Sequence, residues 1–125
     1  MISHFEGGMD ILQKPLMQRA DQLAHAVYNT LPSFPSEEKF GLVSQIRRAV
    51  ISIPSNIIEG YARTKSGTFV YHLEVAYGSL MELKYQLFFS CKRGYISPKE
   101  YETCWKLMDE VGRMLWKSID TMKSK

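Results

Sequence analysis

Cysteine is scarce in this chain: Cys91 and Cys104 are the only two among 125 residues. Two thiols cannot build the disulfide framework of a small secreted domain, and their spacing matches no metal-ligand pattern, so a reduced, cytoplasmic protein is expected. Histidine is equally sparse. His4, His25 and His72 stand alone, and neither an HExxH segment nor the recurring Glu-x-x-His pairs of a di-iron bundle is present, so no metal and no cofactor are expected. Long apolar runs are missing too. Nothing approaches the roughly 18–20 residues of a membrane-spanning helix, and residues 1–10 lack the basic-then-apolar order of a signal peptide; no membrane partner is expected. Charge is nearly balanced, with 16 Lys and Arg against 13 Asp and Glu. A net +3 permits contact with nucleic acid without demanding it. Catalytic constellations are absent as well. Ser52, Ser55, Ser79 and Ser90 have no histidine at a suggestive helical spacing. Gly7-Gly8 and Ser66-Gly67 lack the strand-turn-helix setting of a phosphate loop. A non-enzymatic protein is expected.

What is present is helical period. The length suits one domain over residues 1–125, and 45% hydrophobic with 23% charged residues is ordinary globular composition. Pro and Gly punctuate a leader segment (1–14) and four helices at about 15–31, 36–63, 67–93 and 98–122. The first carries Leu16, Ala20, Leu23, Ala24, Val27 and Leu31 as its buried stripe, with Pro15 in its first turn. The second is expected to open at Ser36 as N-cap, with Glu37 and Glu38 favourable against the helix dipole. Pro54 is expected to kink it. The third places Phe69, Leu73, Ala76, Leu80, Leu83 and Leu87 on one side, and Gly94 suits a left-handed C-cap. The fourth opens on Ser97-Pro98-Lys99-Glu100, a capping box with Pro at N1. Its core stripe is expected to hold Tyr101, Cys104, Trp105, Met108, Val111, Leu115, Ile119 and Met122. Short connections between long amphipathic helices make neighbours antiparallel, so the expected fold is all-α, an up-down antiparallel four-helix bundle.

Two helices carry more than a core face. On the second, Gln45, Arg48, Ser52, Asn56 and Glu59 form a polar stripe beside the apolar one, and Phe40, Ile51 and Ile58 form a further, partly apolar face. On the third, Tyr71, Gly78, Tyr85 and Phe89 lie opposite the leucines. Exposed apolar stripes of this length mark interfaces, so Phe40, Ile51, Ile58, Tyr71, Tyr85 and Phe89 are candidates for contact between copies of the chain; the alternative is a wide helix packed between two neighbours. For the polar stripe the readings are a binding site or a hydrogen-bonded network. The network is favoured, with Arg48 and Glu59 reaching partners such as Glu74, Glu82 and Arg113 on other helices. Basic residues of the fourth helix are mixed with acids and read as a solvated face. Arg47, Arg63, Lys65, Lys92 and Arg93 are the less diluted sites and the places where RNA would bind.

A phrase in the second helix is distinctive: Phe40-Gly41-Leu42, Gln45-Ile46-Arg47-Arg48-Ala49, then Ser52-Ile53-Pro54-Ser55-Asn56-Ile57-Ile58-Glu59-Gly60. Gly78-Ser79-Leu80-Met81-Glu82-Leu83, Gly94-Tyr95-Ile96 and Gly112-Arg113-Met114-Leu115 follow it. Together they resemble the bacterial four-helix-bundle family of proteins encoded in intervening sequences of large-subunit ribosomal RNA genes, which is similar to the accessory variability proteins of diversity-generating retroelements. The likeness runs from roughly Leu16 to Met122. Where that family commonly has Ala, this chain has Ile58. The resemblance implies a ring-like homopentamer and non-enzymatic work with structured RNA; the alternative it implies is an adaptor for a reverse transcriptase in such a retroelement.

Overall fold

The computed structural model describes residues 6–63 and 66–124, and among them there is helix and no strand. Five α-helices follow one another: α1 (Glu6–Gln13), α2 (Pro15–Thr30), α3 (Leu42–Tyr61), α4 (Ser66–Lys92) and α5 (Pro98–Lys123). Helices α2 to α5 form the bundle. Each packs against its sequence neighbour, and α2 closes the ring against α5. Cross-helix contacts show the directions. Ser52 meets Ser79 and Asn56 meets His72, while Tyr77 meets Trp116 and Lys84 meets Trp105. Residue numbers rise on one helix as they fall on the next, which is up-down topology.

The core is built from the periodic residues. Leu23, Val27, Ile46, Val50, Ile53 and Ile57 are fully buried, facing Leu73, Leu80, Leu83, Leu87, Met108 and Leu115. Each of these aliphatic side chains contributes about 1.5–3 kcal/mol to the driving force when taken from water.

Chain punctuation behaves as its chemistry requires. In the capping box of α5, the Glu100 N–H donates to Ser97 Oγ at 3.0 Å and the Ser97 N–H to Glu100 Oε1 at 2.9 Å. Helix α4 ends in the paired bonds of a Schellman motif: the Tyr95 N–H reaches the Ser90 carbonyl at 2.9 Å and the Gly94 N–H the Cys91 carbonyl at 3.0 Å. That geometry needs the left-handed φ of +77° at Gly94. Pro54 lies inside α3 and brings no N–H for the carbonyl one turn earlier.

Three expectations are corrected. The stretch 36–63 is not one helix: Ser36–Glu38 is a 3-10 turn, and α3 starts only at Leu42 with Gly41 as its N-cap. Gly41 takes φ −109° and ψ −104°, and the cap hydrogen bond comes from the Leu42 N–H to Glu38 Oε1 at 3.3 Å, so Ser36 is not the cap. The leader segment holds a helix of its own, α1, which packs on α2 and α3 and presses Ile11 against the core. Trp105 is not a core residue. It is 42% exposed, because the almost fully buried Cys104 and Met108 take the core side of that turn and leave Trp105 on the flank of α5; about two turns further on, Gly112 holds α4 and α5 close. There a Cβ on Gly112 would meet Leu80 Cδ2 at 3.2 Å.

Candidate functional site

The polar stripe of α3 divides between two environments. Its inner half makes a hydrogen-bonded cluster with α4. Ser52 Oγ lies 2.9 Å from Ser79 Oγ, and Asn56 Nδ2 donates to the Ser52 carbonyl and hydroxyl at 2.9 and 3.1 Å. With its amide committed that way, Asn56 presents Oδ1 to His72 Nδ1 at 3.1 Å, so His72 carries its proton on Nδ1. Gly60 lets the same helices approach at the far end, since a Cβ there would come within 3.0 Å of the Phe69 ring. The outer half stays in water. Gln45 and Arg48 are exposed and have no side-chain bond among the described residues. Glu59 pairs with Arg63 one turn away at 2.9 Å, not with another helix. Of the partners expected for Arg48 and Glu59, Glu74 is engaged with Lys123 at 2.8 Å and Arg113 with Asp109 at 3.1 Å, and Glu82 makes no ion pair among the described residues.

All six residues considered for contact between copies are exposed, and they fall on two surfaces. Tyr71, at 60% exposed, Tyr85, at 65%, and Phe89 share the outer side of α4. Ile51 and Ile58 lie on the flank of α3 away from the Ser52–Ser79 contact, and Phe40, at 89% exposed, precedes that helix.

The basic residues are where the structure adds most. Of five Lys or Arg ion pairs among the described residues, two lie towards the end of the bundle where α3 and α5 finish, Arg63–Glu59 and Lys123–Glu74, and two near mid-height, Arg19–Glu110 and Arg113–Asp109. The opposite end carries the 31–41 connection and the 93–97 turn, and is termed the connector end for them. It has one, Lys106–Glu102. There Lys39, Arg47, Arg48, Lys84, Lys92, Arg93 and Lys99 have no carboxylate within ion-pair distance among the described residues. Of the acids there, Glu38 and Glu100 are each engaged at a helix start, Glu38 also accepting from the Tyr95 hydroxyl at 3.1 Å, and the exposed Glu37 pairs with no cation among the described residues. Four of these cations lie over exposed rings: Lys39 over Phe40, Lys84 over Trp105 and Lys92 over Phe88, each at 5.5 Å, and Arg47 over Tyr28 at 6.0 Å. Every one lies within about 12 Å of the connector end along its helix axis. Lys14 and Lys117 in the other half are likewise without an acid partner among the described residues, and Lys14 lies 5.4 Å from the centre of the half-buried Tyr61 ring.

The sequence-derived basic sites therefore separate. Arg47, Lys92 and Arg93 come together at the connector end. Arg63 is at the opposite end and partnered by Glu59, and Lys65 lies outside the described residues. Lys84 escapes a reading of the sequence because Glu82 stands two residues away, although helical geometry turns the two side chains about 200° apart. Among the described residues no group of His, Cys, Asp and Glu could hold a metal, and no helix is long and apolar enough to cross a membrane. The Cys104 thiol is pushed up to about 11, first by burial and then by the Glu100 carboxylate.

Comparison with known proteins agrees with this architecture. The family model described as 23S rRNA-intervening sequence protein matches residues 14–117. A crystal structure of a protein of unknown function from the S23 ribosomal protein family of Bacteroides thetaiotaomicron is similar in fold. Its TM-score is 0.76 at 23% sequence identity, covering 83% of this chain and 97% of that one. No curated protein matches.

Proposed function

The chain belongs to the 23S rRNA-intervening sequence protein family, and from that premise we propose that it is a non-enzymatic, RNA-associated scaffold that contacts RNA through its connector end. One observation carries this reading: cations without an acid partner that lie on exposed rings collect at the connector end, while four of the five acid-paired cations lie at mid-height or towards the far end. A cation without a carboxylate keeps its full attraction for phosphate, and each phosphate contact gains by releasing condensed counterions. Ion pairing reduces that gain at Arg19, Arg63, Arg113 and Lys123, since a phosphate must compete with the carboxylate.

The scaffold is proposed to be a homo-oligomer, a pentamer on the family resemblance. The outer side of α4 with Tyr71, Tyr85 and Phe89 is its contact surface, because rings this exposed gain most from being covered. Closed symmetry would repeat the connector end around one axis, so individually weak RNA contacts act at high effective concentration. A mild +3 per chain is then no obstacle to binding a long RNA. Titration of a structured ribosomal RNA fragment at several salt concentrations tests the reading. Binding that weakens steeply with salt is expected. No binding even at low salt would shift the role to a protein adaptor, of the kind that serves a reverse transcriptase.

A further inference from the structure

We propose that the flank between α4 and α5 at the connector end is a track for unpaired RNA, with bases stacking on Trp105 and Phe88 and phosphates held by Lys84, Lys92 and Arg93; this rests on the RNA reading above and specifies its substrate. Lys84, Phe88 and Lys92 follow one another at four-residue steps on α4, giving a cation, a ring and a cation about 6 Å apart along one helix face. Trp105 joins them from α5, with Lys84 Nζ 5.5 Å from the centre of its ring, as Lys92 Nζ is from that of Phe88. Two large rings left in water on one flank forgo burial, and the cations beside them have no acid partner among the described residues. The one carboxylate nearest in sequence to Trp105 that is paired, Glu102, is already held by Lys106 at 3.7 Å.

A positive groove interleaved with ring faces is what single strands require, because every base offers a π-face and every nucleotide a phosphate. Duplex RNA offers neither rings to stack nor a readable deep groove, its bases being sealed in the stack. An apolar protein surface would cover the rings but leave the cations without counter-charge, whereas a single strand supplies a stacking face and a phosphate at every nucleotide. Beyond Trp105 the groove continues past Lys84 to a cavity that Lys84 lines with the Arg113–Asp109 pair and Trp116, and then to Glu74 and Asp120; the acids there end the track before Trp116.

The test uses the full chain, an unstructured oligouridylate of about 12 nucleotides and an RNA duplex of equal length. In a Trp116→Phe background Trp105 is the sole tryptophan, and its fluorescence is expected to be quenched by the oligouridylate and not by the duplex. Trp105→Leu is expected to weaken oligouridylate binding about tenfold and leave duplex binding unchanged, while Trp105→Phe restores most of the affinity. Circular dichroism and sedimentation of each variant accompany the titrations. Equal oligouridylate binding by Trp105→Leu, or binding without quenching, overturns the track while leaving the RNA reading intact. Trp105→Leu that loses assembly instead assigns the ring to a contact between copies and overturns the track too. Wild type that binds neither oligouridylate nor structured RNA overturns both.

Discussion

Replacing Asn56 by Ala should cost the fold about 1–1.5 kcal/mol, the balance of neutral hydrogen bonds at about 1 kcal/mol each and a helix-propensity gain of about 0.5–0.7. The amide makes three bonds, but the one to the Ser52 carbonyl stays within a turn of α3 and contributes little. Of the other two, Nδ2 to Ser52 Oγ also stays on α3 but orients the hydroxyl that meets Ser79, and the His72 Nδ1–H to Asn56 Oδ1 crosses to α4. At roughly 4 °C per kcal/mol for a chain of this size, Tm falls by about 4–6 °C. Glu59→Ala, on the same stripe, removes only a half-exposed pair with Arg63 and should stay within about 0.5 kcal/mol of wild type. Both are measured by thermal and urea unfolding at one fixed protein concentration, because self-association would otherwise move the midpoint. A double-mutant cycle with His72→Ala should return a coupling of about 1 kcal/mol. Wild-type stability in Asn56→Ala, or a larger loss in Glu59→Ala, would refute the division of the stripe into a bonded inner half and a solvated outer half.

Other substitutions test other parts of the structure. Gly94→Ala should lose about 1 kcal/mol in urea unfolding, since an L-residue is strained at φ +77°. Gln86 is buried with its Oε1 unpartnered among the described residues, so Gln86→Met should raise stability by about 1 kcal/mol. Cys104 should alkylate far more slowly than the half-buried Cys91 in native protein. Its folded pKa of about 11 stands above the ordinary 9.0. Its contribution to stability is therefore complete below pH 9 and is lost as pH rises from 9 towards 11, a decline that Cys104→Ala should remove from the pH-stability curve.

Much of the fold was legible because it rests on local rules. The leucine period of α4, the Ser97–Glu100 box and the glycine at 94 each state their structure within a few residues. The start of α3 was not, because Ser36 and Gly41 compete for the cap and only the placing of Glu38 over the Leu42 N–H decides between them. Trp105 has the right period for the core, and its place on the flank follows from how α5 is turned to bury Cys104 and Met108, a rotation no single helix encodes. The basic sites were half legible. Sequence spacing shows that Arg47 and Lys92-Arg93 are undiluted locally, but the antiparallel register is what brings them to one end. Ion pairs between helices, such as Arg19 with Glu110, decide which cations remain for a ligand.

The most direct test of the central claim compares the two ends of the bundle. Arg47→Glu, Lys92→Glu and Arg93→Glu combined form one variant; Arg113→Glu, Lys117→Glu and Lys123→Glu combined form the other. Both are titrated with the same structured RNA across a salt series, after sedimentation shows that each assembles as wild type does. The connector-end variant should bind weakly to every RNA sequence tried, because phosphate contacts carry no base information. Its salt slope should flatten by about one for every phosphate that each engaged subunit no longer neutralises. The opposite-end variant should keep most of the wild-type affinity and slope. Equal weakening in the two variants, or a connector-end variant that binds as wild type does, would contradict the assignment of RNA binding to that end.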